Sequence, residues 1–214
     1  ISLEGTDFSG KSTQHKLLID RLTAEGYKVE QMKFPRYETA TGRIVSDCYL
    51  GREGKTSYFA EGASKVNARV AGLYYAADRL YNLSTMHEKL QRGHLFLDRY
   101  VESNLAFTGG KIADKDKRLE NYQFFEELEY GLLNLPKPDI KILLYMPIEY
   151  SDILKKKRMQ TEQQDDHERD REFQINVEKA YLEVAERHNY YVLSCVSDNS
   201  IRTIEDIHEE LYTF

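Results

Sequence analysis

The run Gly5-Thr6-Asp7-Phe8-Ser9-Gly10-Lys11-Ser12-Thr13 has the spacing G-x-x-x-x-G-K-[ST], a pattern built to hold polyphosphate. Its glycines let the backbone curl so that successive N–H groups and a helix start point at phosphate oxygens. Lys11 then bridges the β and γ phosphates, and Ser12 can ligate Mg²⁺. The run follows a short apolar stretch and opens an amphipathic one, the strand-loop-helix setting the motif requires. An ATP or GTP site is implied. Asp7 is unusual in such a loop, because a carboxylate repels phosphates unless it faces a sugar hydroxyl or metal-bound water, or caps local N–H groups. The first two options point to a second substrate beside the nucleotide. A guanine-reading N-K-x-D element is missing; Pro136-Lys137-Pro138-Asp139 starts with the wrong residue and its prolines make it a turn.

A second cluster is Asp98-Arg99-Tyr100, directly after the apolar Leu95-Phe96-Leu97. Polar groups at that point lie on the C-terminal edge of a strand, where open α/β sheets bind ligands. Asp98 is placed to hold Mg²⁺ or its water shell, and Arg99 to neutralise an acceptor phosphate; the alternative is a strand-end salt bridge. A kinase acting on a hydroxyl needs a general base, whereas one acting on a phosphate monoester meets a nucleophile already mostly dianionic near neutral pH. Repulsion between anions is then the obstacle, and cations rather than bases are needed. This chain offers Arg36, Arg79, Arg99 and a basic 155–171 segment around Lys11. Tyr75 and Arg79, four apart on a helical stretch, put a ring and a guanidinium on one face, suited to stacking on a base and bonding its edge. Alone, such spacing is more often core, and Phe34-Pro35-Arg36-Tyr37 alone reads as a loop with an exposed cation.

These groups need a scaffold, and five strand-length apolar runs alternating with helix-length stretches indicate an α/β fold with a mainly parallel sheet. The runs are Ile1 to Glu4, Lys28 to Phe34, His94 to Leu97, Ile140 to Tyr145 and Tyr190 to Ser194. Lys11 to Glu25 reads as a helix ended by Gly26, and Glu61 to Gln91 as one long or broken helical region ended by Gly93. Phe173, Val177, Ala180, Tyr181, Val184 and Ala185 recur at helical spacing towards His188, and Thr203 with Asp206 reads as a capping box. Lys155 to Glu172 is strongly charged with almost no apolar side chain, so a solvated, mobile segment is expected there. With no repeat or linker, the 214 residues are expected to form one domain. A net charge of −6 argues against a nucleic-acid coat, and no apolar run approaches the roughly 20 residues of a membrane span. Cys48 and Cys195 are expected as free thiols of a reducing cytosol. Ile1 in place of an initiator Met leaves the native N-terminus open, and a cytoplasmic location is expected.

Taken together, the motifs resemble those of the thymidylate kinases, P-loop nucleoside monophosphate kinases that make dTDP from dTMP and ATP. The likeness rests on Leu3 to Asp7 leading into Gly10-Lys11-Ser12-Thr13, then Phe34-Pro35-Arg36-Tyr37, Tyr75-Ala76-Ala77-Asp78-Arg79, and Asp98-Arg99-Tyr100 followed by Ser103-Asn104 and Ala106-Phe107-Thr108-Gly109. It implies a three-layer P-loop fold with a mobile lid, Mg²⁺, dTMP and ATP as partners, and a homodimer with its interface in the long helical region. It also implies roles. Asp7 would lie near the deoxyribose 3′-hydroxyl, Tyr37 and Arg99 on the dTMP phosphate, and Arg36 close to the transferring group. Tyr75 would stack on thymine, with Arg79 and Asn104 reading its edge; Phe34 and Ser103 would line the same site. Phe107 would crowd a ribose 2′-hydroxyl. Phe8 stands where some family members carry a basic residue, which implies that the catalytic cation comes from the lid, Arg158 or Arg169, with Arg158 preferred. Gln174 resembles a family position near the active site.

Overall fold

Five strands form one sheet: β1 (Ser2–Gly5), β2 (Val29–Lys33), β3 (His94–Asp98), β4 (Lys141–Tyr145) and β5 (Tyr191–Ser194). Their order is β2-β3-β1-β4-β5, and every pairing is parallel. These are the five expected runs, each within one residue at either end. The structure is a computed structural model that describes residues 1–158, 167 and 170–214. The helices are α1 (Lys11–Ala24), α2 (Ala40–Arg43), α3 (Ala68–Tyr81), α4 (Leu83–Arg92), α5 (Val101–Gly109), α6 (Lys115–Glu126), α7 (Ile148–Arg158), α8 (Arg171–Arg187) and α9 (Ile204–Thr213). Two of them run on into wider π-type turns, α2 over Ile44–Tyr49 and α6 over Glu127–Leu132.

The sheet is buried on both faces, as a parallel sheet must be. On one face Leu3, Phe96, Leu144 and Leu193 meet Leu18 of α1 and Ile207 and Leu211 of α9. On the other, Met32, Leu95 and Leu97 pack with Met86 of α4 and Val101 of α5, while Leu143 meets Phe173, Val177 and Tyr181 of α8. Each such side chain stabilises the fold by about 1.5–3 kcal/mol relative to exposure. The resulting three layers are those of a P-loop kinase fold. α5 follows β3 and is buried along nearly its whole length, so polar residues on it are there for contacts rather than for water.

The long helical region is broken. A single turn at Ala63–Lys65 precedes α3, whose first N–H groups are capped by the Asn67 side chain, and Asn82 separates α3 from α4. The Asn82 amide donates to the Asp78 carbonyl at 2.8 Å, the local bonding by which Asn competes with a continuing helix. α8 ends at Arg187, one residue before the expected His188, and the Thr203 hydroxyl accepts from the Asp206 N–H at 3.1 Å. The patterning did not single out the hairpin of β6 (Val196–Ser197) and β7 (Ser200–Ile201), whose turn residues Asp198 and Asn199 both have positive φ, 50° and 57°. Both ends of the expected mobile segment are helical: α7 runs to Arg158 and α8 starts at Arg171. Arg169 and the side chain of Arg158 lie outside the described residues, and with them the expected lid cation.

Candidate active site

The loop from β1 to α1 is shaped for anions. Phe8 and Gly10 take positive φ, 61° and 73°, and α1 starts with neither a side-chain cap nor an acidic residue in its first turn. Its leading N–H groups and positive dipole end therefore face the loop without an internal counter-group. Thr6 fixes the loop to the end of β4: its hydroxyl donates to the Met146 carbonyl at 2.9 Å and accepts from the Met146 N–H at 2.8 Å. Ser12 and Thr13 are exposed at the helix start, while Ser9 is buried.

Parallel pairing of β1 with β3 brings Asp98 and Arg99 beside this loop. The buried Lys11 ammonium is ion-paired with Asp98, whose other oxygen lies 3.7 Å from Lys33. Burial, then the nearby Arg99 cation, pushes Lys11 well below the usual lysine range. Lys11 and Lys33 thus meet on Asp98 with the Arg99 guanidinium close by, an arrangement that suits a polyphosphate. Arg99 sits at φ 66° and donates to the Tyr181 hydroxyl at 2.6 Å, with Asp7 at 3.4 Å. Burial works against its charge, but Tyr181, Asp7 and Glu4 outweigh it and hold the guanidinium protonated. Behind it runs a relay: Tyr181 lies 2.8 Å from the Ser103 hydroxyl, Ser103 donates to Glu4, and Glu4 also accepts from the Tyr100 N–H at 2.6 Å. Burial raises the Glu4 carboxyl above its ordinary range.

A cavity at the C-terminal edge of the sheet, between α3, α5 and α8, brings together Asp7, Phe34, Tyr37, Tyr75, Arg79, Arg99, Ser103, Asn104, Phe107 and Gln174. A second cavity, between α7 and α8, shares Asp7 and Gln174 with it and adds Phe8 and Lys155. Asp7 therefore stands between two spaces, as a loop serving two substrates requires. At the closed end of the first, Arg79 makes a two-pronged ion pair with Glu129, one prong being Nη2 to Oε1 at 2.8 Å. The Asn104 amide nitrogen donates to Glu129 at 2.8 Å and to the Gly72 carbonyl at 3.2 Å. Its oxygen, although buried, has no hydrogen-bond partner among the described residues.

A family model for thymidylate kinase matches residues 3–210. The chain belongs to the thymidylate kinase family. Human thymidylate kinase is 32% identical over 157 residues, 73% of this chain but 64% of the human protein, so the match spans less than two thirds of that relative. Thymidylate kinase of Mycobacterium tuberculosis is 30% identical over 191 residues, covering 86% of this chain and 85% of that one. The solved structure of thymidylate kinase from Candida albicans superposes with a TM-score of 0.71 over 99% of this chain and 88% of that chain, at 24% identity, which shows the shared fold.

Against the thymidylate kinase pattern, Arg36 is the predicted substrate residue that does not line the main cavity. Its Nε donates to Glu38 at 2.9 Å and its Nη1 to the Asn82 amide oxygen at 3.1 Å, while Asp78 accepts from its backbone N–H at 2.8 Å. Two further cations lie outside the motifs: Arg52, which lines the cavity with its guanidinium 4.8 Å over the Tyr37 ring, and Lys33, which lies 3.7 Å from Asp98. Lys33 adjoins Phe34 and could have been found from that position; Arg52 lies in a stretch with no motif. Tyr181 reads in the sequence only as a helical core position. His167 stacks on Phe107 with centroids 5.6 Å apart and lines the cavity. Glu129 sits in an apolar-charged stretch with no distinguishing signal.

Proposed function

We propose that this chain is an ATP-dependent dTMP kinase. The observation that carries the reading is the Asn104 oxygen beside Arg79 in the cavity, which has no hydrogen-bond partner among the described residues. Both acceptors facing the Asn104 nitrogen, Glu129 and the Gly72 carbonyl, demand a donor, so the amide orientation is set and an acceptor is left over. A base that satisfies the pair must offer a donor to Asn104 and an acceptor to Arg79. Thymine does so with N3–H and O4. Cytosine presents the reverse, an N3 acceptor and an amino donor, and would leave both protein groups opposed, which sites of this kind reject strongly.

In the reaction an oxygen of the dTMP phosphate attacks the γ-phosphorus of ATP and the bond to the β-phosphate oxygen breaks, giving dTDP and ADP. The nucleophile is an anion already, so no general base is required. Lys11 moves from Asp98 to the β and γ phosphates, Arg99 holds the dTMP phosphate, and the α1 start neutralises the donor. Hard oxygen donors suit Mg²⁺, and the exposed Ser12 hydroxyl and the Asp98 carboxylate fit that choice. No group of three His, Cys, Asp or Glu among the described residues could hold a metal by itself, as expected of an ion carried in on nucleotide phosphates. When bound, Mg²⁺ offsets charge on the transferring group. Phe107 is the ring that would crowd a ribose 2′-hydroxyl, and Gln174 borders both substrates' spaces. The lid cation, Arg158 or Arg169, completes the reading, as does one kinase domain over the chain.

A homodimer in the cytoplasm is part of the same proposal. Val70, Leu73, Leu80 and Tyr81 are exposed by 42–60% along α3, an apolar stripe suited to a second copy. No described helix is long and apolar enough to cross a membrane, and Cys48 and Cys195 are free thiols. Light scattering tests the dimer as twice the 25.1 kDa chain mass. Calorimetric titration tests the base reading: dTMP binds, N3-methyl-dTMP loses at least tenfold in affinity, and equal affinities would contradict the assignment.

A further inference from the structure

We infer that Glu129 is a specificity-determining positioning residue, which dictates the base edge the site reads by fixing the donor and acceptor polarity of Asn104 and Arg79. The inference rests on the dTMP reading above. Glu129 is fully buried on the wide turn Glu127–Leu132 that continues α6, and from there it reaches Arg79 and Asn104 of the cavity lining; such turns occur often at functional sites. Its Oε2 accepts from Arg79 Nε. Its Oε1 accepts from both Arg79 Nη2 and Asn104 Nδ2, at 2.8 Å each.

A carboxylate paired with a guanidinium can only accept. Two consequences follow from that chemistry. The Asn104 amide cannot rotate by half a turn without setting oxygen against oxygen at Glu129 and again at the Gly72 carbonyl, so its free atom is the acceptor. The Nε edge of Arg79 is also engaged, which leaves Nη1, whose acceptor among the described residues is the Tyr100 carbonyl at a long 3.5 Å. Glu129 therefore acts on both halves of the code, holding the Asn104 acceptor together with the more distant Gly72 carbonyl and the donor at Arg79. Glu129 touches neither substrate; it acts through the two side chains that do.

The test is Glu129→Gln, assayed with dTMP and dCMP as acceptors under saturating ATP and Mg²⁺. Glutamine keeps the shape but presents an N–H₂ that can oppose Asn104 Nδ2 and favour the rotated amide. The expected result is a fall in the dTMP to dCMP ratio of kcat/KM by at least tenfold. A loss of folded protein would lower both activities together and leave the ratio alone, so the ratio separates positioning from stability. Glu129→Asp keeps the acceptor-only chemistry on a shorter arm, and its ratio is expected within threefold of the parent even where both rates fall. A folded Glu129→Gln protein with an unchanged ratio overturns the inference. Should Glu129→Gln fail to fold, Glu129→Ala is read in the same way, and an unchanged ratio there overturns the inference. If the unaltered protein does not prefer dTMP to dCMP, the functional proposal fails instead, and the two failures are told apart by that first measurement.

Discussion

Replacing Tyr181 by Phe removes one oxygen from behind Arg99 and leaves the ring in place. That oxygen accepts from Arg99 Nη1 at 2.6 Å and lies 2.8 Å from the Ser103 hydroxyl. A hydrogen bond to a charged group contributes about 1.5–3 kcal/mol. Ser103 at 3.4 Å offers Arg99 a poorer substitute acceptor, which places the loss near the lower end, ~1.5–2 kcal/mol. At 1.36 kcal/mol per tenfold, kcat/KM for dTMP falls by about 10–30-fold. The change should fall mainly on KM for dTMP, because in the proposed mechanism Arg99 holds the acceptor phosphate before and during transfer, and KM for ATP should hardly move. The same loss lowers Tm by roughly 3–8 °C in a domain of this size. Initial-rate kinetics with each substrate varied, together with a thermal melt, measure all of this. An efficiency within twofold of the parent, in a protein whose melt has shifted, would show that Tyr181 supports the fold but does not position Arg99.

Lys11→Ala removes the ammonium proposed to bridge the phosphates and leaves the buried Asp98 with Lys33 at 3.7 Å in place of its close partner; turnover should drop by about a hundredfold or more, and a near-parental rate with a folded spectrum would contradict the proposed role. Gly72→Ala places a Cβ 2.1 Å from the Phe125 ring, an overpacking that costs about 1–3 kcal/mol; an unchanged melt would refute it. Burial, then the Lys11 charge, pushes His15 down to about 4, and burial, then Lys111, pushes His167 to about 3. Both stay neutral in the fold while an unfolded histidine titrates near 6.5, so stability is full above that value and falls as pH drops towards about 4. Urea midpoints between pH 7 and pH 4 should fall less steeply in His15→Gln, and identical slopes would count against the reading.

The frame of the fold was legible because parallel strands buried on both faces read as short apolar runs, and all five did. The loop at Gly5–Thr13 and the Asp98-Arg99 pair were legible because their chemistry fixes both residue type and position. Partners supplied across the fold were not. Glu129 lies 50 residues from Arg79 and 25 from Asn104, and only the turn after α6 brings the three together. Tyr181 is itself a core position on α8, so periodicity accounts for its ring and says nothing of its hydroxyl. Motif position does not place the Arg36 side chain, which Glu38 and Asn82 hold outside the cavity lining. The β6–β7 hairpin escaped because each strand is two residues long.

The central claim is most directly tested by ADP release with ATP and Mg²⁺ across dTMP, dUMP, dCMP, dGMP, UMP and thymidine at one concentration. The account predicts release that depends on the acceptor, is highest with dTMP, and falls steeply with dCMP, UMP and thymidine. ADP release at one rate with or without an acceptor, or a signal dominated by thymidine or dCMP, would contradict it.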